Sequence, residues 1–135
     1  MQRDRLAKTL VAFITQDWER EGEATLRLEA LTPFGWDRVY IFPPYTTPEG
    51  VRKSLGFDWP KASAIGIDSR DDINLLVFVK DGRVVQYVAY PRVHGDFHQL
   101  GDPSGYSPEE AVFVVEEEEA PGQSRFVLHE MEIPE

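Results

Sequence analysis

Two apolar runs, Ile73–Lys80 and Arg83–Tyr90, are separated only by Asp81-Gly82. Asp-Gly tolerates the positive φ angles of a two-residue type I′ turn, so the spacing predicts a β-hairpin. That turn sets Lys80 opposite Arg83, Val79 opposite Val84, Phe78 opposite Val85 and Leu76 opposite Tyr87. Side chains alternate along a strand. One face of the hairpin then holds Leu76, Phe78, Val85 and Tyr87, and the other Ile73, Leu75, Val77, Val79, Val84 and Val88. A sheet with one face in water shows a polar face, and none is present here. The hairpin must therefore be central and covered on both sides, which limits the architectures open to a chain of 135 residues.

The remaining segments supply the cover. Leu6, Leu10, Phe13, Ile14 and Trp18 recur at steps of three and four, which predicts a helix over 3–20 with one apolar face. Ala24–Ala30 alternates and reads as a half-buried strand. After the turn Thr32-Pro33-Phe34-Gly35, the aromatic and β-branched run Trp36–Phe42 reads as another, stopped by Pro43 and Pro44. Thr46-Thr47-Pro48-Glu49 is a helix start: Thr46 with Glu49 fits the capping-box spacing, and Thr47 followed by Pro48 fits an alternative cap one residue later. The short helix ends at Gly56, and Ala62–Ile67 reads as a further short strand. Residues 91–106 form a loop, and Ser107-Pro108-Glu109-Glu110 is a second capping box before a strand at Ala111–Val115. Ala120-Pro121-Gly122-Gln123 turns the chain into a last strand, Phe126–Ile133, which sets Glu118 against Arg125. Short strand-to-strand links without helical crossovers predict an α+β fold. It is one domain over 1–135, with an N-terminal helix and a short second helix on a mostly antiparallel sheet of six or seven strands.

Charge and composition bear on function. There is no Cys, which removes disulfides, thiolate metal sites and cysteine nucleophiles. The net charge is −10, and residues 1–95 are balanced, so the whole excess lies in the last 40 residues. Four acids there are consecutive: Glu116, Glu117, Glu118 and Glu119. Such a run is mostly a solvated face, and it disfavours nucleic acid and anionic membrane while suiting a basic protein partner. No apolar stretch approaches the ~20 residues that a membrane helix needs. The N-terminal apolar run Leu10–Ile14 is short of the ~7–15 residues of a signal sequence. The chain as it stands reads as cytoplasmic, or as extracytoplasmic if a signal segment was removed.

The run Trp36-Asp37-Arg38-Val39-Tyr40-Ile41-Phe42-Pro43-Pro44-Tyr45-Thr46 is distinctive. With Leu55-Gly56-Phe57 and Leu76–Gly82, it resembles a family of small, largely uncharacterised bacterial proteins with a W-D-x-V-Y-I-F-x-P-Y-T motif. The resemblance spans residues 30–115. Some members of that family are secreted or lipid-anchored, and this chain departs from those in having no cysteine to lipidate. The resemblance implies no catalytic residues.

Candidate chemistry is sparse. In an extended segment His94, Asp96 and His98 would point to one side, with Asp102 nearby, as imidazole and carboxylate ligands for a divalent metal. No nucleophile elbow, phosphate loop or dinucleotide fingerprint is present, and no cofactor is expected. Trp36, Tyr40, Phe42, Tyr45, Phe57 and Trp59 crowd into one proline-rich stretch. Trp36, Arg38, Tyr40 and Phe42 would share one side of their strand. Aromatic side chains are favoured interface anchors. The residues therefore point first to a non-enzymatic binding module of inhibitor or immunity type. Its contact residues would be Trp36, Tyr45 and Trp59, with Glu116, Glu117, Glu118 and Glu119 as an acidic face. The alternative is a metal-binding protein or metal-dependent hydrolase that uses His94, Asp96 and His98.

Overall fold

The computed structural model of the chain describes residues 24–32, 34–92, 96–97, 104–120 and 123–130. The helix expected over 3–20 lies outside them. The described elements, in order, are β1 (Ala24–Arg27), α1 (Leu28–Leu31), β2 (Arg38–Phe42), α2 (Pro48–Leu55) and α3 (Lys61–Ile65). They continue with a 3₁₀ turn (Ile67–Ser69), β3 (Ile73–Lys80), β4 (Arg83–Pro91), β5 (Val112–Ala120) and β6 (Gln123–Glu130). The α+β class holds. In place of one sheet of six or seven strands, the described strands form two three-stranded antiparallel sheets, ordered β2-β3-β4 and β1-β5-β6.

The central β3 explains this layering. Every residue from Ile73 to Val79 is buried. Leu76 and Phe78, with Val39, Ile41, Val88 and Tyr90, pack on Leu26, Phe113, Val115 and Leu128 of the second sheet. Leu75, Val77 and Val79, with Tyr40 and Phe42, pack on Val51, Leu55, Ala62 and Ile67 of the helical layer. Each large apolar side chain withdrawn from water in this way contributes roughly 1.5–3 kcal/mol before the cost of ordering the chain is counted.

The hairpin forms on the expected turn, with positive φ at Asp81 (52°) and Gly82 (74°). Its register is as predicted only as far as Val79 and Val84. A bulge then sets Phe78 opposite Gln86 and Leu76 opposite Val88. The extra residue is Val85, which is left 43% exposed. Because the side-chain period is two, one inserted residue exchanges the faces of everything after it. Tyr87 goes to the helical side and Val88 to the inter-sheet core.

Three further expectations are corrected. The strand over Ala24–Ala30 stops at Arg27, the last residue paired with β5. The next residue, Leu28, donates its N–H to the Ala111 carbonyl (3.2 Å) and starts a helical turn. Ala62–Ile67 is not a strand. Ala62 lies in α3, Gly66 ends that helix at φ 77°, and Ile67 opens the 3₁₀ turn. Trp36 does not share a face with Tyr40 and Phe42. It precedes β2 and meets the Phe78 ring edge-on in the inter-sheet core (5.2 Å, 72°). Its indole N–H donates to Thr32 Oγ1 (2.8 Å), which itself donates to the Leu28 carbonyl (3.0 Å).

Candidate functional site

The residues singled out from the sequence are divided among the layers. Trp36 is 7% exposed and is a core residue, which removes it from the contact set. Tyr45 and Trp59 belong to the connections of the helical layer. The glutamates belong to the second sheet.

Tyr45 follows Pro43 and Pro44 in a tight turn closed by Thr46, whose N–H (3.3 Å) and hydroxyl (2.6 Å) both donate to the Pro43 carbonyl. Proline suits the second position of such a turn, and a positive φ at the third usually calls for glycine. Here that third residue is Tyr45, at φ 67°. Its N–H donates to the Ile67 carbonyl (2.9 Å), which ties the turn to the 3₁₀ segment. The side chain stands 61% exposed.

Trp59 sits between α2 and α3. Of the two caps that the sequence allows, helix α2 uses the second: Thr47 accepts from the Gly50 N–H (3.0 Å), and Pro48 follows. Gly56 ends it at φ 82°. The two helices leave an open cleft of about 640 Å³ lined by Pro48, Glu49, Arg52, Asp58, Trp59 and Ser63 among others. Trp59 is half-buried, and its ring meets Tyr87 edge-on (5.3 Å, 71°). Arg52 stands between Glu49 (3.9 Å) and Asp58 (3.8 Å), beyond hydrogen-bond distance of either. Such exposed pairs hold a side chain only weakly.

Of the expected metal ligands, Asp96 alone is described; His94 and His98 lie outside the described residues, as does Asp102. Asp96 is 1% exposed. Arg92 grips its carboxylate with two bonds, Nε to Oδ1 (3.1 Å) and Nη2 to Oδ2 (2.8 Å). Asn74 Nδ2 donates to the same Oδ1 (3.0 Å). The hydrogen bond to Asp96 raises the Arg92 guanidinium above its ordinary value, against a lowering by burial. An acid with both oxygens engaged by a guanidinium is suited to anchoring rather than to metal ligation or proton transfer. Among the described residues no cluster of three His, Asp or Glu side chains could hold a metal ion.

Asn74 and Arg92 were not foreseen. Asn74 is the one polar residue in the buried run Ile73–Val79, and an amide at that place signals a buried polar partner. Arg92 stands only four residues before Asp96, but in a stretch that reads as loop that spacing does not set two side chains together as it would on a helix.

Glu116–Glu119 lie in β5, opposite Val127, Phe126, Arg125 and Ser124 respectively. Glu118 thus faces Arg125 in register, as the turn predicted. These four residues lie past the described pairing of β5 with β1, which spans Val112–Val115. No helix among the described residues is long and apolar enough to cross a membrane. Compared with known proteins, the chain matches no family model, no curated protein sequence and no solved structure.

Proposed function

We propose that the protein is a non-enzymatic binding module for a basic protein partner. Tyr45 carries the reading. A large aromatic ring held mostly in water, on a backbone conformation that a non-glycine residue seldom adopts, does nothing for the core, and such outliers cluster at ligand contacts. Trp59 adds a second, half-buried ring at the wall of an open cleft. Burying such rings against a partner supplies contact area at low cost in side-chain entropy.

Glu116–Glu119 have a separate task. They belong to the second sheet, on the far side of β2-β3-β4 from the helical layer. A charge concentration acts on encounter through the field of the whole molecule, so it raises the association rate of a basic partner without touching Tyr45. An inhibitor or immunity-type role is consistent with this size and charge. The ion pair that occupies Asp96 counts against the metal reading.

The test is capture from source lysate at low salt by the full chain, followed by kinetics with the protein recovered. A basic partner released by moderate salt is expected. Replacing the four glutamates by Gln slows association and flattens its salt dependence. Tyr45→Ala speeds dissociation by roughly 30-fold if the ring is a binding hot spot of about 2 kcal/mol. Unchanged association in the Gln variant and unchanged dissociation in Tyr45→Ala would sink the reading.

A further inference from the structure

We propose that Asp96 is a latch fastening β6 to the helix-backed sheet, and that it releases before the β2-β3-β4 ladder opens. The residue spans the two sheets. Its carbonyl accepts from the Leu128 N–H (2.9 Å), and it forms a parallel bridge with Val127, both on β6. Its carboxylate is held by Asn74 on β3 and by Arg92 just after β4. Beside it Phe97 enters the inter-sheet core, edge-on to Tyr90 (5.4 Å) and Phe113 (6.5 Å).

Three observations make this the weak fastening of the core. The Asp96 charge is buried, and its countercharge, Arg92, is 28% exposed at the side chain, so water reaches the pair from one side. The third guanidinium bond of Arg92, from Nη1, goes to a loop carbonyl, that of Asp71 (2.8 Å). The Asn74 Oδ1 is buried with no hydrogen-bond partner among the described residues. Turning the amide over does not help, since it would set that oxygen against Asp96 Oδ1, where Nδ2 now donates. An unpaired buried acceptor is costly, and separation of β6 relieves that cost by admitting water. By contrast β3 is bonded along both edges, to β2 and β4. Proteins open in cooperative units of unequal stability, and a unit fastened through a water-accessible polar contact opens before a buried strand bonded along both edges.

Amide hydrogen exchange on the intact chain tests this. In the native protein the Leu128 amide should exchange at least ~10-fold faster than amides of Leu76–Phe78, with a weaker urea dependence, because a smaller surface is exposed by the opening. Asp96→Asn keeps the shape and removes the charge. It should raise exchange at Leu128 by roughly 10- to 100-fold while β3 amides change less than ~3-fold. Two results overturn the latch: Leu128 and β3 exchanging together with one urea dependence in the native chain, or Asp96→Asn accelerating both sheets alike. The native measurement decides the matter even if the variant does not fold.

Discussion

Gly105 offers the sharpest quantitative test of the packing. It sits at φ 71°, next to Tyr106, which exchanges two backbone hydrogen bonds of 2.8 Å with Val39 on β2. A Cβ added at Gly105 would lie 2.9 Å from Arg38 Cγ and 2.9 Å from both Tyr40 Cδ1 and Cε1. Arg38 is flexible and can yield. Tyr40 cannot, because its ring is buried and stacked on Phe42 (6.2 Å, 4°). Gly105→Ala therefore incurs two costs: about 1–2 kcal/mol for a left-handed conformation at a residue with a Cβ, and about 1–3 kcal/mol for overpacking against a fixed ring. Gly82→Ala is the matched control. Its φ is 74°, but nothing lies within 4 Å of the added methyl, so only the first cost applies. With a urea slope of about 1–3 kcal/mol/M for a small domain, the midpoint of Gly105→Ala should fall about 1 M below that of Gly82→Ala. Equal midpoints with equal slopes would show that Tyr40 is not fixed as described, and the argument from Gly105 would fail.

Trp36→Phe keeps a ring against Phe78 but loses the bond to Thr32. It should cost about 1 kcal/mol by urea denaturation, whereas Trp59→Phe, in the open cleft, should cost less and should remove emission that iodide quenches more readily than that of buried Trp36. Glu110 should titrate below the ordinary carboxylate range, because the Ser107 N–H (2.9 Å) donates to its carboxylate. A carboxylate depressed in the fold stabilises it above the ordinary value, and that contribution is lost as pH falls through the folded value. Replacing Ser107 removes the other half of the capping box, the hydroxyl that accepts from the Glu110 N–H (3.2 Å). In Ser107→Ala the backbone N–H is kept and only the hydroxyl is lost, so the Glu110 midpoint, followed by NMR, should rise part of the way toward the ordinary range; no rise would mean that the Ser107 hydroxyl does not help to hold this carboxylate.

Local chemistry was legible where it is short-range. The Asp81-Gly82 turn, the Thr47 cap with its proline, Gly56 at the end of α2, the Ser107–Glu110 box and the Glu118–Arg125 register all follow from residues within a few positions of one another. These were readable because a turn or a cap is decided by φ preferences and side-chain oxygens that need no distant partner. The two apolar faces of β3 likewise demand cover on both sides from their residues alone.

What the sequence could not determine is what depends on long-range assembly. Alternation predicts that a strand has two faces, but a single bulge at Val85 reassigns them, and nothing in Arg83–Tyr90 announces the insertion. The strands divide into two sheets because β5 pairs with β1 and β6 while β3 pairs with β2 and β4, and antiparallel pairing between distant segments leaves no local signature. The candidate site divides for the same reason. Trp36, Tyr45 and Trp59 are close in sequence, yet the sheet passes between Trp36 and the other two. Asp96 is an attractive metal ligand beside two histidines in the chain and an anchored ion-pair partner in the fold. There it is held by Arg92, four residues before it, and by Asn74, 22 residues away, which only tertiary packing brings to the same carboxylate.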